Sequence, residues 1–204
     1  MHSFRSFNGL WAGMALCVGL LSGEESAGGK DEAVKKAQTA IREFLGKLKD
    51  FDGQPFKREV NPDPLTDASL AKTFPSRTFY LLRFRQWPVA QAVPAGLGSS
   101  NVFAVDKDAK VELLTDRDSL RDKLFSVALP AVNDEQAALD ALRAWLRLAQ
   151  EFEQDGMFRF TVPEDGLKAV KTAAGFEASG KAVVEKGGGN EGGISAKLTF
   201  ANGK

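Results

Sequence analysis

Residues 133–156, NDEQAALDALRAWLRLAQEFEQDG, carry the best-marked helix signal of the chain. Asn133 is a favourable N-cap residue with Gln136 three positions later, and two acids lie in the first turn, where the helix dipole favours negative charge. The Asp155-Gly156 pair marks the end of the helix. Apolar residues recur at helical spacing on one face, which predicts an amphipathic helix: Ala138, Leu142, Trp145, Leu146, Ala149 and Phe152.

A second amphipathic helix is predicted nearer the N-terminus, over residues 31–49, followed by Asp52-Gly53. The two helices match each other at an offset of 101 positions, and each runs into Asp-Gly and then a phenylalanine followed by a base. The match leaves two interpretations open, an internal duplication and the chance similarity of two amphipathic helices. The apolar stripe of the N-terminal helix comprises Val34, Ala37, Ile41, Phe44, Leu45 and Leu48.

Short β-rich stretches follow each helix. The clearest is residues 78–86, where alternation places Tyr80, Leu82 and Phe84 on one face of a strand. Residues 106–109 have the composition of a hairpin turn. The strands predicted after the first helix are 56–60, 78–86, 101–105 and 110–114, with a Pro-rich connection at 61–64 and a short helix at 67–73. Those predicted after the second helix are 157–162, 167–171, 176–185 and 194–200.

Each half of the chain therefore predicts one helix followed by about four antiparallel strands. Laying the apolar stripe of a helix on one face of a sheet is the economical way to bury both. The predicted fold class is α+β, with two helix-plus-four-stranded antiparallel sheet modules after an N-terminal signal segment. The predicted organisation is a signal peptide at 1–23, a flexible tether at 24–30, a first module at 31–116, a linker with a short helix at 117–133 and a second module at 134–204.

The first 23 residues have the composition of an export signal. Residues 10–21 form a 12-residue apolar run, which is shorter than the roughly 20 residues that span a bilayer. The alternatives are an uncleaved anchor, a lipoprotein and the absence of a signal. Lipid attachment at Cys17 normally requires a small residue before the cysteine, and Leu16 stands there. We therefore expect an exported protein, periplasmic or secreted, that contacts the membrane only through the signal segment before cleavage.

The charge balance and the position of two residues exclude several classes of function. The chain has 27 basic and 27 acidic residues, so the usual electrostatic argument for nucleic-acid binding is missing. The single His2 and the single Cys17 both lie in the segment predicted to be removed. A mature chain without imidazole or thiol has no Ser-His-Asp or Cys-His catalysis, no disulfide and no Cys/His zinc site. We expect no cofactor and no metal.

A helix followed by a four-stranded antiparallel sheet resembles the cystatin-like architecture and also small envelope modules of the PepSY type. Cystatin inhibitors carry a Q-x-V-x-G loop and a Pro-Trp pair that enter the cleft of a cysteine protease. Gln91, Val93 and Gly96 match this loop with the glycine one residue late, and Trp87-Pro88 stands in reversed order ahead of it. The resemblance implies protease inhibition as one alternative function.

The predicted binding surface joins a strand face to the loop that follows it. Arg77, Arg83 and Arg85 share one face, and arginines beside aromatic residues can hold a carboxylate or a sulfate. The alternative is that these arginines pair across strands with acids such as Asp106 or Glu112. The surface lies in residues 83–101, and its predicted binding residues are Arg83, Arg85, Trp87, Gln91, Val93 and Gly96.

Three other sequence patterns resemble a phosphate loop, a calcium loop and a glycosidase carboxylate pair, but each lacks a feature that such a site requires. Residues 94–101 are Gly-rich but lack the phosphate-loop spacing, and a strand rather than a helix follows. Asp106 and Asp108 suggest calcium, but the EF-hand spacing is missing. A pair of carboxylates could act as glycosidase acid and base, yet acids at helix ends and turns are normally solvated. These acids are Glu151, Glu153, Asp155, Glu164 and Asp165.

The sequence thus predicts an exported, non-enzymatic binding or protein-interaction module of the cell envelope. Its expected partner is an envelope or extracellular protein or a glycan. The alternatives are an exported enzyme that uses carboxylates, a carrier of a small molecule between helix and sheet, and a cystatin-like protease inhibitor.

Overall fold

The computed structural model describes residues 27–49, 53–56, 60–84, 93–153, 159–184 and 192–201, which form four helices and two antiparallel sheets of four strands each. The predicted α+β class is therefore confirmed. The helices are α1 (Ala27–Leu45), α2 (Ala68–Thr73), α3 and α4 (Glu135–Glu153). Helix α3 is a continuous segment in which α-helical Arg117–Ser119 and Ser126–Ala128 flank a π-helix, Leu120–Phe125.

Sheet 1 consists of β1 (Asp63–Pro64), β2 (Arg77–Arg83), β3 (Ser100–Asp106) and β4 (Val111–Leu114), paired in that order. The strand predicted at 56–60 is not the first strand of this sheet, because β1 lies in the Pro-rich segment that was predicted to be a connection. Residues 57–59 lie outside the described part of the chain. Pro64 is tolerated because β1 is an edge strand, where a missing N–H breaks no ladder.

Sheet 2 consists of β5 (Phe160–Thr161), β6 (Lys168–Thr172), β7 (Gly175–Val184) and β8 (Gly193–Ala201). Strand β8 runs along one edge of β7, while β5 and β6 share the other edge, at opposite ends of the strand. A short 3-10 turn, Glu164–Gly166, connects β5 to β6. The strands predicted at 167–171, 176–185 and 194–200 match β6, β7 and β8 to within one residue at each end, with residue 185 outside the described part of the chain. Of the strand predicted at 157–162, residues 157 and 158 also lie outside it, and Phe160–Thr161 form β5.

Helix α1 covers one face of sheet 1. Alternation along β2 sends Tyr80 and Leu82 to this face, as predicted, and β3 adds Phe103 and Val105. Phe44 of α1 meets Phe103 edge to face, with ring centroids 6.1 Å apart. The buried residues of this cluster are Ala37, Ile41, Leu45, Val60, Tyr80, Leu82, Phe84, Phe103 and Val105.

Helix α4 lies between the other face of sheet 1 and sheet 2. One continuous apolar cluster contains Phe79 and Leu81 of β2, the buried residues of α4, and Ala178 of β7. Helices α2 and α3 contribute Leu70 and Leu120 to the same cluster. The layers are therefore α1, sheet 1, the α2–α3–α4 layer, and sheet 2.

Both long helices begin at a different residue from the one predicted. Helix α1 starts at Ala27, inside the segment predicted to be a flexible tether, and ends at Leu45 rather than Lys49 because Gly46 is a poor helix residue. Helix α4 is capped by Asp134 instead of Asn133, since the Ala137 N–H donates to Asp134 Oδ1 at 2.7 Å.

Candidate ligand-binding cleft

The largest charged concavity in the described residues lies between α2, α4 and β5. We call it the charged cleft, and its volume is about 870 Å³. Its walls carry five basic and four acidic side chains, which are Lys72, Arg83, Arg143, Arg147, Arg159, Asp67, Asp140, Glu151 and Glu164.

The deepest of these groups is the carboxylate of Glu151, which is 1% exposed near the C-terminus of α4. Its two oxygens accept hydrogen bonds from Arg83 and Arg147, one each. Arg147 reaches Glu151 because residues four apart lie on the same face of a helix. Arg83 reaches it because alternation along β2 places Arg83 on the same face as Phe79 and Leu81, the face that α4 covers.

Arg143 forms a second ion-pair group near the other end of the cleft. It bonds Asp140 on its own helix at 3.1 Å and Glu164 of the β5–β6 connection at 2.6 Å. Its Nε is buried and has no hydrogen-bond partner among the described residues. An unpartnered buried donor is costly, so this atom can gain from an acceptor that enters the cleft.

The wall formed by α2 is fixed by its N-cap. Asp67 Oδ1 accepts from the N–H groups of Ser69 at 2.8 Å and Leu70 at 3.3 Å. The other oxygen of Asp67 lies 3.7 Å from Arg147 Nε. Lys72 in turn lies 3.7 Å from Asp140. Both contacts cross from α2 to α4, so they set the width of the charged cleft.

The hydrogen-bonding groups that remain unused in the charged cleft are mainly donors. All four acids are already in ion pairs with basic residues of the cleft. A guanidinium has five N–H donors in a planar fork, and the bonds described above use only part of the donors of Arg143 and Arg147. Arg159 is exposed and forms no ion pair with any described residue. The cleft is therefore suited to a ligand that is rich in acceptors.

The structure describes three of the predicted binding residues, Arg83, Val93 and Gly96, and these three do not lie together in one site. Arg83 lies in the charged cleft, whereas Val93 packs against the apolar cluster on the α1 side of sheet 1. Gly96 occupies a turn with φ +84°, closed by a bond from Leu97 N–H to Pro94 O at 3.1 Å. A positive φ favours glycine. Arg85, Trp87 and Gln91 lie outside the described residues, and the predicted surface there stays a prediction.

The alternative interpretation of the arginines, pairing with acids of the sheet, is confirmed for Arg77, which bonds Glu112 at 2.6 Å. The Asp106 carboxylate serves the hairpin turn, because it accepts from the N–H groups of Asp108 and Lys110 at 2.9 Å. Within the described residues, no three His, Cys, Asp or Glu side chains converge as a metal site would require.

Sequence reasoning missed the centre of the cleft. Glu151 was predicted to be a solvated acid, and this was wrong, because its side chain is buried between two arginines. A local signal exists, because Arg147 stands four residues before Glu151. Ala141, Ala144 and Leu148 lie on the same side of the helix as Glu151, and these three residues are also fully buried. Together they mark a second apolar stripe that ends in a charge pair.

Comparison with known proteins adds no relative. No protein-family model, no curated protein and no solved structure matches the chain. Among the described helices, none combines the length and the apolar composition needed to cross a membrane.

Proposed function

We propose that the chain is an exported, non-enzymatic binding module whose charged cleft holds a small anionic ligand or an anionic substituent of a larger one. The observation that carries the proposal is the surplus of guanidinium donors on Arg143, Arg147 and Arg159 in a cleft whose acids are all already paired. Carboxylate and phosphate groups match the planar fork of arginine and form charge-assisted hydrogen bonds with it.

The size and shape of the cleft agree with a ligand of this kind. Small-molecule sites commonly measure roughly 300–1,000 Å³, and the charged cleft measures about 870 Å³. The cleft is open to solvent along β5, where the Arg159 side chain is exposed. An acidic sugar of an envelope glycan or an acidic side chain of a protein partner could therefore enter while the rest of the partner stays outside.

The state of Glu151 favours binding over catalysis. A general acid or base needs a carboxylate that can exchange a proton with the substrate, and both oxygens of Glu151 are engaged by arginines. Removal of residues 1–23 would also leave no imidazole and no thiol in the chain. Export itself rests on the N-terminal sequence pattern, and the inhibitor alternative rests on Gln91, Val93 and Gly96.

The test is a calorimetric titration of the purified protein with inorganic phosphate, sulfate and glucuronate at low and high salt. We expect at least one of these anions to bind, with an affinity that falls as salt screens the arginines. Arg159→Glu should weaken binding about fivefold or more, because it reverses an exposed charge of the cleft without breaking an ion pair.

The matched control is Arg121→Glu, which reverses the charge of an exposed arginine on α3, away from the cleft. It should leave the affinity unchanged. Equal losses in the two variants would show a general charge effect, and no binding of any anion up to millimolar concentrations would remove the proposal.

A further inference from the structure

Arg143 holds two acids of the charged cleft in different ways. Its Nη1 bonds Asp140, three residues earlier on α4, at 3.1 Å, and its Nη2 bonds Glu164 at 2.6 Å. The Asp140 side chain is 14% exposed, whereas the Glu164 side chain is 76% exposed. Asp140 also accepts a bond from Gln136 at 3.1 Å and lies 3.7 Å from Lys72. Asp140 is therefore a fixed partner of Arg143, and Glu164 is a partner held from outside.

Glu164 is joined to the cleft by this single ion pair. Among the described residues, its carboxylate has no other hydrogen bond or ion pair. It begins the 3-10 turn between β5 and β6, and the two backbone bonds of that turn are long, at 3.3 Å and 3.4 Å. Since an exposed ion pair contributes little to stability, the Glu164 side chain can exchange Arg143 for water at little cost.

The edge of the guanidinium that Glu164 occupies has one donor left over. In the planar fork of arginine, the Nε hydrogen and one Nη2 hydrogen point the same way, so an anion with two oxygens can accept from both. Glu164 accepts from Nη2 alone, and the buried Nε of Arg143 has no hydrogen-bond partner among the described residues. A ligand carboxylate in the place of Glu164 can pair both donors, which removes the cost of an unsatisfied buried group.

Arg147, one turn further along α4, has no partner that can be exchanged so easily. Its acids are Glu151, whose side chain is 2% exposed, and Asp67, whose Oδ1 caps α2. An anion that bound here in place of either acid would have to displace a buried carboxylate or disturb a helix cap, and both changes are costly. The exchangeable position is therefore at Arg143.

The charge balance at Arg143 favours a singly charged ligand group. When a carboxylate displaces Glu164, one negative charge replaces another and the surroundings of Arg143 keep their charge. A sulfate in the same place would bring two negative charges next to the fixed carboxylate of Asp140, which repels them. A carboxylate is also planar, as the edge of the guanidinium is, so the two can form parallel bonds.

We propose that the Nε–Nη2 edge of Arg143 is the carboxylate subsite of the charged cleft, and that Glu164 is its internal competitor. This inference rests on the proposed function. The carboxylate of the ligand, such as that of an acidic sugar, displaces Glu164 and accepts from both donors. An anion that can pair only one donor gains nothing over Glu164 and is kept out. Glu164 therefore sets both the affinity and the selectivity of the subsite.

The test compares the removal of two neighbouring acids. Glu164→Ala removes the competitor, and it should raise the affinity for glucuronate about fivefold in a calorimetric titration. Asp165→Ala is the matched control, because Asp165 is the next residue of the same turn, is exposed and does not line the cleft. It removes the same charge and should change the affinity less than about twofold, because solvent screens an exposed charge outside the site.

Equal gains in the two variants would show a general charge effect and would overturn the inference. An unchanged or lower affinity in Glu164→Ala would overturn it as well, because a competitor that is removed must leave the site stronger.

Arg143→Lys tests the edge with two donors. Lysine keeps the charge but lacks the planar pair of donors, so the affinity for glucuronate should fall about tenfold. In this background Glu164→Ala should no longer raise the affinity, as a double-mutant cycle would show. A gain of the same size would mean that Glu164 does not compete at Arg143, and would overturn the assignment. Circular dichroism checks the fold, and the Glu164 and Asp165 variants decide if Arg143→Lys does not fold.

Glucose and sulfate test the ligand class. Glucose lacks the carboxylate and should not bind where glucuronate saturates the protein, and sulfate should bind more weakly than glucuronate. Equal binding of glucose, or equal or tighter binding of sulfate, would overturn the carboxylate subsite. Binding of sulfate or phosphate without any binding of glucuronate would overturn this inference and leave the proposed function in place. No binding of any anion, to the parent protein or to Glu164→Ala, would remove both.

Discussion

The two long helices have the same length, 19 residues, and opposite positions in the molecule. Helix α1 buries one stripe, with Ile41 and Leu45 at its centre, and covers a single face of sheet 1. Helix α4 is buried on several sides, because Leu142 faces β7 of sheet 2 while Glu151 meets Arg83 of sheet 1. A single apolar stripe therefore marks a peripheral helix, and a second stripe of small residues marks one that lies between two sheets.

This difference also explains where the charged cleft occurs. The charged cleft lies beside α4, where its remaining polar stripe meets α2 and β5. The following predictions, from the largest expected effect to the smallest, test the contrast between a central α4 and a peripheral α1 and, last, the cap of the neighbouring α3.

Glu151→Ala should lower the free energy of unfolding by about 3–5 kcal/mol, because it breaks an ion pair whose carboxylate is buried. Urea denaturation measures this. The matched control is Glu153→Ala, two residues further along α4, whose ion pair with Arg117 is 44% and 45% exposed. Loss of an exposed pair should cost below about 1 kcal/mol. Similar losses for the two variants would mean that the buried ion pairs of Glu151 stabilise the protein no more than an exposed ion pair does.

Leu142→Ala and Ile41→Ala should each cost about 2–5 kcal/mol, since both side chains are fully buried. They should differ in the region that opens. Hydrogen exchange should accelerate in both sheets for Leu142→Ala, but only in α1 and sheet 1 for Ile41→Ala. If hydrogen exchange in sheet 2 accelerates as strongly for Ile41→Ala as for Leu142→Ala, the packing of α4 does not couple the two sheets in the way described.

Gly180→Ala should cost about 1–3 kcal/mol through overpacking. A Cβ at this position of β7 would lie 2.4 Å from Leu167 Cδ2 and 3.4 Å from Leu142 Cδ2. Gly180 therefore permits the close approach of Leu167 and the Gly166 carbonyl to β7, beside Leu142 of α4. Gly166→Ala is the control, because its Cβ would meet only Pro163 Cγ at 3.4 Å. A neutral Gly180→Ala in thermal denaturation would show that Leu167 can move aside and that the packing over β7 is loose.

Asp116→Ala should cost about 0.5–2 kcal/mol, because Asp116 is the N-cap of α3 and forms a capping box with Ser119. The hydrogen bond from the Ser119 N–H lowers the pKa of Asp116 below its ordinary value. A carboxyl with a lowered folded-state pKa stabilises the protein above its unfolded pKa of about 4, and this contribution disappears as the pH falls through the folded value.

Asp116→Asn separates the two parts of that prediction, since asparagine also caps helices but does not titrate. It should keep most of the stability at pH 7 and lose less than the parent protein between about pH 4 and pH 2. Identical acid unfolding curves for Asp116→Asn and the parent would show that Asp116 does not contribute to the acid transition.

The predictable part of the fold is the part that follows from local periodicity. Alternation along β2 correctly separates Tyr80 and Leu82 from Phe79 and Leu81, and the strands of sheet 2 are found from the same pattern. Strand β1 is missed because two residues, one of them Pro64, contain no alternation. Its pairing with β2 is set by tertiary contact, which a local pattern does not contain.

The candidate site was less predictable, for a physical reason. Arg83 was correctly placed on one face of a strand, and its binding role stays a prediction, but its partner Glu151 stands 68 positions away. No local pattern joins two such residues, and the type of residue alone places a glutamate at the surface. The second stripe of α4 was the available signal, and it indicates that a charge at its end is buried.

The central position of α4 has a consequence for the order in which the chain is made. Sheet 1 is complete once residue 114 has emerged, but its second face is covered only in part, by α2 and by Phe74 against Phe79, until α4 follows. At about 5–20 residues per second, a nascent chain exposes an apolar sheet face for seconds. A chaperone that binds such faces should therefore capture chains that end between residues 114 and 153, and release them when α4 packs against the sheet.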